Sequence, residues 1–135
     1  MADFHYLWTL PIITAAMALL AMLVPYTIGA SLAHFPALVP YISDGGAYAP
    51  EGHFFSMFMT LAGVLLAVTV FVRHCVLVSH FRERQVSSWR SGLSIAALII
   101  AWIQCLGMFV VGSFDEMSTL RVHNYSALVL FISGI

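Results

Sequence analysis

The sequence contains no lysine, and charged residues make up only 8% of its 135 residues. Soluble domains of ordinary composition carry a charge on about a quarter of their residues. So few charged side chains cannot cover a water-facing surface, whereas side chains that face lipid need not be polar. The five basic residues are all arginines and the net charge is −1, so the basic patch that nucleic-acid binding requires is missing. The composition therefore indicates a membrane protein without a nucleic-acid partner.

Cysteine is also scarce. The two cysteines, Cys75 and Cys105, both stand in apolar surroundings, so we expect free thiols rather than a disulfide framework. Cys75 follows Arg73 near a predicted membrane edge, where a thiol can be palmitoylated. The alternative is an unmodified small apolar residue, because free cysteine packs like other hydrophobic side chains.

Recognisable catalytic motifs are missing as well. The chain has no nucleophile elbow, zinc-protease motif, phosphate-binding loop or redox cysteine pair. Asp44, Glu51 and His53 are residue types that bind metals, but their spacing matches no metal-site signature. We therefore expect no catalytic residues, no cofactor and no metal site. An enzyme whose catalytic residues are scattered along the chain remains the alternative.

Apolar runs dominate what is present, and they predict an all-α integral membrane protein. Stretches at about 10–33, 54–78 and 92–114 are long enough for helices that cross a hydrocarbon core of about 30 Å. A fourth run, 122–135, reaches only about 21 Å as a helix, roughly a third short of a crossing. We predict a single transmembrane domain over 1–135, with three full transmembrane helices in a bundle plus a fourth, incomplete one.

Three features within these runs concern helix packing. Pro25 is expected to kink or end the first helix near residue 23 or 24, because proline removes a helical hydrogen bond. Ala97, Ala101 and Cys105 recur every four residues, and such a stripe of small residues lets a neighbouring helix approach closely. Gln104 is the polar residue inside the third span, and we expect it to hydrogen-bond a neighbouring helix rather than contact a substrate.

The arginines predict the orientation in the membrane. Four of the five lie between positions 73 and 90. Cytoplasmic loops of membrane proteins collect arginine and lysine. We therefore expect the N-terminus and the arginine-rich loop 79–90 to be cytosolic, and residues 40–51 to face the lumen or the exterior.

Residues 40–51 form the most specific polar segment of the chain. Asp44-Gly45-Gly46 is a turn signal, because glycine tolerates backbone angles closed to other residues and aspartate caps local backbone groups. Pro50-Glu51 is typical of a helix start, where proline fits and an acidic side chain complements the helix dipole. These structural roles account for both acidic residues without a ligand.

A functional role for the same residues is the alternative. Asp44 and Glu51 would then face a lumenal cleft with His53 and bind a cation, a headgroup or a partner. His123 opens the last apolar run, at the predicted interface, where a neutral imidazole costs little. Ionisable side chains deeper in a membrane are rarer and usually functional.

The order of these residues resembles that of a known family. The DRAM-like family comprises the damage-regulated autophagy modulators and the related FRAG and Sfk-type multispan proteins. The matching segments are Pro40-Tyr41-Ile42-Ser43-Asp44, Pro50-Glu51, Leu106-Gly107-Met108 with Val111 and Phe114, and Val122-His123 with Ala127-Leu128, Phe131 and Gly134. They occur in the family's order and cover nearly the whole chain.

The chain also departs from the family pattern. Ala49 stands where the family usually has proline, Ser113 and Asp115 stand where asparagine and glutamine are frequent, and Ser126 replaces a glycine. The family has six spans, and this chain ends inside the fourth, so we expect a truncated form.

The resemblance implies a non-enzymatic multipass protein that regulates autophagy. It implies a lysosomal, late-endosomal or Golgi membrane, with the plasma membrane as the alternative. Membrane lipids and other transmembrane helices or membrane proteins are the implied partners. A plasma-membrane scaffold for phosphoinositide kinases, or an accessory in lipid-anchor remodelling, is the alternative function. The residues carried over from the family motifs as binding candidates are Tyr41, Ser43, Asp44, Pro50, Glu51 and His123.

Overall fold

A computed structural model describes residues 6–36, 38, 40–85 and 87–134. These residues form four α-helices, α1 (Thr9–Ser31), α2 (Glu51–Glu83), α3 (Ser88–Ser113) and α4 (Glu116–Gly134), and a short 3-10 turn (Ile42–Gly46), with no β-strand among them. Three of the helices, α1, α2 and α3, are long and apolar enough to cross a membrane. The predicted all-α membrane fold, with a fourth helix beside three spanning ones, is confirmed.

The first helix continues past the proline that was expected to kink or end it. Pro25 lies inside α1, which runs on to Ser31. Its side chain is buried, and a Cβ built on Gly45 of the 3-10 turn would lie 2.9 Å from the Pro25 Cβ. A helix in a membrane bundle tolerates proline when neighbouring elements compensate for the lost hydrogen bond. The prediction that α1 ends near residue 23 or 24 is therefore wrong, and Pro25 instead packs against the 3-10 turn.

The second helix is longer than its apolar core. It begins three residues before the predicted span and ends five residues after it. Its 33 residues correspond to about 50 Å at 1.5 Å per residue, against a hydrocarbon core of about 30 Å. The additional turns carry the polar residues at both ends, so α2 extends beyond the apolar layer.

The fourth helix begins before the apolar run that predicted it. The predicted apolar run begins at residue 122, but α4 starts at Glu116. The Asp115 carboxylate accepts a hydrogen bond from the Ser118 backbone N–H at 2.6 Å, which starts the helix in a polar sequence. The backbone departs from helical angles at Thr119, with φ −137° and ψ 47°. Ile135, at the end of the predicted run, and residues 1–5 lie outside the described residues.

Successive helices pack antiparallel. In α2 and α3, Met59 lies close to Gly112 and Gly63 lies close to Cys105. Further along, the His74 side chain forms a hydrogen bond with Ser94. The residue numbers rise along α2 as they fall along α3, so the two helices are antiparallel. Gly107 of α3 similarly approaches the backbone of Leu130 in α4, and the Thr14 hydroxyl of α1 lies 3.0 Å from the Thr69 hydroxyl of α2, within hydrogen-bond distance.

The buried core lies between these helices and consists of Ala21, Phe55, Met59, Ala62, Met108 and Val111.

The predicted packing stripe on α3 is only partly covered by the helices described. Cys105 is buried opposite Gly63, whereas Ala97 is exposed. Gln104 lies beside Gly134, Thr14 and Thr69 around a cavity of about 570 Å³, but its amide has no hydrogen bond within the described part of the chain. The expected interhelical bond is thus not made by the elements described.

The antiparallel order defines two ends of the bundle. The first loop is the segment 40–50 that contains the 3-10 turn and leads into α2. This loop, the start of α2 and the junction between α3 and α4 meet at one end of the bundle, which we call the first-loop end. The arginine-rich hairpin between α2 and α3 lies at the opposite end. Large apolar side chains remain exposed along the helices, as expected for surfaces that contact lipid.

Candidate functional site

The 3-10 turn is stabilised by its own aspartate. The Tyr41 backbone N–H donates to the Asp44 carboxylate at 2.7 Å, and the Asp44 N–H donates back to the Tyr41 carbonyl at 3.1 Å. Ser43 is half-buried, while the Tyr41 side chain is 79% exposed. Asp44 therefore caps local backbone groups, as its sequence predicts, and its carboxylate is already engaged.

Glu51 is the most deeply buried ionisable side chain at the first-loop end. It is the first residue of α2, follows Pro50, and is fully buried. One carboxylate oxygen, Oε1, lies 2.5 Å from His34 Nδ1. The other, Oε2, is buried without a hydrogen-bond partner among the described residues. A Cβ built on Gly29 of α1 would lie 3.2 Å from Oε1, so Glu51 packs closely against α1.

His34 is a member of this site that the sequence did not reveal. After α1, Ala33 adopts φ 57°, and the His34 N–H donates to the Gly29 carbonyl at 3.0 Å. This left-handed helix ending turns the His34 side chain towards Glu51 and Tyr48, whose ring centre lies 5.3 Å away. The pair joins positions 17 residues apart, and no spacing rule predicts it.

A separate cleft opens between the first loop and the start of α4, with a volume of about 260 Å³. We call it the first-loop cleft. His53 and His123 line it, together with Asp115 and Glu116. Its other lining residues are Gly46, Ala47, Tyr48, Ala49, Gly52, Phe55, Ser56, Val111, Gly112 and Ser113.

The orientation of His123 is fixed by a backbone carbonyl. The side chain is only 4% exposed, and its Nδ1 lies 2.8 Å from the Phe114 carbonyl oxygen. A carbonyl can only accept, so Nδ1 carries the hydrogen and donates it. In the neutral ring Nε2 is then an acceptor, and it has no hydrogen-bond partner within the described ranges. Glu116 Oε2, which is also buried, likewise has none.

The structure separates the predicted candidates into two groups. Of the residues taken from the family motifs, His123 lines the first-loop cleft, whereas Glu51 faces α1 and His34. The cleft lining does not include Tyr41, Ser43, Asp44 or Pro50. His53, which the sequence grouped with the two acids, lies in the cleft instead.

Cys75, the predicted modification candidate, lies elsewhere. It is an exposed free thiol on α2, towards the arginine-rich end. It lines a surface cavity there with Leu7, Val76 and His80. Palmitoylation of Cys75 remains a prediction.

Asp115 joins the cleft to the start of α4. The Ser118 hydroxyl donates to its carboxylate at 2.6 Å, as does the Ser118 backbone N–H at the same distance. These bonds to Ser118, the side-chain bond foremost, hold the pKa of Asp115 below its usual value. A carboxyl group whose pKa is lower in the folded state than in the unfolded state stabilises the fold at every pH at which it is ionised.

We expect this cap to persist in an acidic compartment. Asp115→Ala should destabilise the protein by about 1 kcal/mol at pH 5 to 7, the usual cost of losing a helix cap. The difference in stability between the wild type and Asp115→Ala should be fully present above about 3.9, the pKa of an aspartate in the unfolded chain. It should disappear as the pH falls through the lower pKa that Asp115 has in the folded protein. Melting temperatures of both proteins in nanodiscs between pH 3 and 7 measure this. A difference that vanished already at pH 5 would contradict the assignment.

Comparison with known proteins gives matches along most of the chain. The model of the Frag1/DRAM/Sfk1/Cwh43P N-terminal domain matches residues 6–135. The Xenopus laevis DNA damage-regulated autophagy modulator protein 1 is 33% identical, over 93% of this chain and 52% of its own length. The human DNA damage-regulated autophagy modulator protein 2 is 30% identical, over 84% of this chain and 42% of its own.

A more divergent relative is also a named modulator. The Danio rerio modulator of macroautophagy TMEM150B is 29% identical, over 71% of this chain and 38% of its own length. The chain spans about half the length of the first of these relatives. No solved structure matches the chain.

Proposed function

Because this chain belongs to the Frag1/DRAM/Sfk1/Cwh43P family, we propose that it is a non-enzymatic regulator of autophagy in lysosomal or other endomembranes. The observation that carries the proposal is the similarity along 93% of the chain to a protein named as an autophagy modulator. A second relative, named as a modulator of macroautophagy, supports the same role. The relatives are named modulators rather than enzymes, which supports a role without catalysis.

The structure suggests how such a regulator would work. Glu51 connects the start of α2 to His34 and α1, and His123 connects α4 to the Phe114 carbonyl at the end of α3. The first bond stabilises the first loop and the second stabilises the α3–α4 junction, and these two elements meet at one end of the bundle. The exposed helix faces offer surfaces for other transmembrane helices or membrane proteins. We propose that the protein acts by packing against membrane partners and by presenting its first-loop end.

The proposed orientation places the first-loop end in the lumen. The arginine-rich segment 79–90 and the N-terminus would then be cytosolic, in agreement with the bias of arginine towards cytoplasmic loops. The structure supports this arrangement because the first loop and the α2–α3 hairpin lie at opposite ends of antiparallel helices.

Loss-of-function cells test the proposed role. We expect that removing the protein lowers autophagic flux, measured as lysosomal turnover of an autophagosome marker with and without lysosomal inhibition. The wild-type protein should restore flux and co-localise with lysosomal or late-endosomal markers. Gly92→Ala is a matched control that should restore flux equally, because a Cβ at Gly92 meets no atom within 4 Å.

A different outcome would favour the second family role. Unchanged flux, combined with altered plasma-membrane phosphoinositides or lipid-anchored proteins, would contradict the autophagy proposal. It would support a scaffold for phosphoinositide kinases or an accessory in lipid-anchor remodelling, as the breadth of the family allows.

A further inference from the structure

We propose that the first-loop cleft binds the primary ammonium headgroup of a membrane lipid. The inference goes beyond the role in autophagy and does not depend on it. It rests on four properties of the cleft, which are its charge, its unsatisfied acceptors, its size and its apolar surroundings.

The charge of the cleft favours a cation. Asp115 and Glu116 contribute carboxylates, His53 and His123 contribute imidazoles, and no arginine belongs to the lining. Asp115 is already bonded to Ser118, but the buried Oε2 of Glu116 has no partner among the described residues. A buried carboxylate oxygen without a hydrogen bond is costly, and a ligand that donates one removes that cost.

A second unused acceptor comes from His123. His123 Nδ1 donates its hydrogen bond to the Phe114 carbonyl oxygen. In the neutral ring, the lone pair of Nε2 therefore remains available to another donor. The His123 side chain is only 4% exposed and belongs to the cleft lining. The residues that line the cleft therefore carry two acceptors without partners among the described residues, a carboxylate oxygen of Glu116 and Nε2 of His123.

A primary ammonium suits these acceptors better than a metal ion does. It carries three N–H donors, and charge-assisted N–H···O bonds form at about 2.7–2.9 Å. A bound metal needs several ligand atoms converging at shorter distances. The described part of the chain contains no group of three histidine, cysteine, aspartate or glutamate side chains that could hold a metal.

The size and position of the cleft indicate a lipid as the source of the ammonium. At about 260 Å³ the cleft lies below the roughly 300–1,000 Å³ of sites that enclose drug-sized ligands, but it can hold a small headgroup. Phe114, Met117 and Leu120 at the adjoining α3–α4 junction are 42%, 65% and 51% exposed. Acyl chains could lie along these apolar side chains while the headgroup enters the cleft.

Competition between two lipids tests the proposal. The purified protein is incubated with equal amounts of phosphatidylethanolamine and phosphatidylcholine that carry identical acyl chains, and the lipid retained after washing is measured by mass spectrometry. Choline is fully methylated and has no N–H donor. We expect phosphatidylethanolamine to be enriched about tenfold, the ratio that one charge-assisted hydrogen bond supplies.

Variants assign any enrichment to the cleft. Glu116→Gln should bring the ratio close to one, whereas Glu83→Gln, which alters an exposed carboxylate at the opposite end of α2, should keep it. Ser113→Phe places a large side chain at an exposed position of the cleft lining and should also remove the enrichment, even if Glu116→Gln does not fold.

Three results would overturn the proposal. Equal retention of both lipids by the wild type would show that the ammonium is not recognised. Enrichment that survived both Glu116→Gln and Ser113→Phe would place the lipid elsewhere. If soluble phosphoethanolamine raised the melting temperature while the lipid was not enriched, the ligand would be a free amine rather than a membrane lipid.

Discussion

Glu51→Ala should lower the free energy of unfolding by about 2–4 kcal/mol, the largest effect that we expect from a single substitution. The change removes a fully buried side chain, and large-to-small replacements in a packed interior cost about this much. It also removes the hydrogen bond to His34 and the acidic group in the first turn of α2. Chemical or thermal unfolding of the purified protein in nanodiscs measures the loss.

A double-mutant cycle separates the contact between Glu51 and His34 from the packing of the Glu51 side chain. His34→Ala and the double variant should reveal a coupling energy of about 1 kcal/mol or more, as for groups in direct contact. Glu83→Ala is the matched control, because it removes an exposed glutamate from the other end of the same helix. Zero coupling between Glu51 and His34 would show that the 2.5 Å contact contributes nothing to stability.

Gly52→Val should destabilise the protein by about 2–3 kcal/mol, a cost typical of overpacking. A Cβ at Gly52 would lie 2.9 Å from the carbonyl oxygen of Gly46, and a backbone atom cannot rotate away as a side chain can. The 3-10 turn has little room to retreat, since Gly45 packs against Pro25 and Gly46 against Phe55. The start of α2 and the turn would have to separate, and the first-loop cleft would change shape with them.

Gly92→Val is the control for this substitution. It places the same side chain in a helix at a position where a Cβ meets no atom within 4 Å. We expect a change within about 0.5 kcal/mol, as for other surface substitutions. Comparable losses in melting temperature for both variants would contradict the close approach between Gly52 and Gly46.

Much of the fold could be predicted from the sequence because lipid requires long uncharged runs. The three spans follow from that requirement, and each observed helix overlaps its predicted run. The helix ends were less predictable, because they depend on polar contacts. Asp115 starts α4 through Ser118, and the 3-10 turn packs over Pro25 inside α1.

The candidate site was predictable only in part. Asp44 and Pro50-Glu51 carry local signals for a turn and a helix start, and both features are present. The partner of Glu51 is His34, and their pairing depends on the left-handed ending of α1, which the sequence pattern does not indicate. The first-loop cleft forms only when α4 returns to the first loop, so its lining could not be inferred from spacing.

We propose that the first loop and the α3–α4 junction form one site on the lumenal side of a membrane bundle. The most direct test of this proposal is cysteine labelling in intact lysosomes with a membrane-impermeant thiol reagent. Cys75 and Cys105 are first replaced by alanine, because both are free thiols. Single cysteines are then introduced at positions on the two ends.

We predict that Ser79→Cys and Ser87→Cys, at the arginine-rich end, are labelled in intact organelles. Ala47→Cys and Ser113→Cys, which line the first-loop cleft, should be labelled only after the membrane is permeabilised. Labelling of Ala47→Cys in intact lysosomes, or of Ala47→Cys and Ser113→Cys from opposite sides, would contradict a single lumenal site.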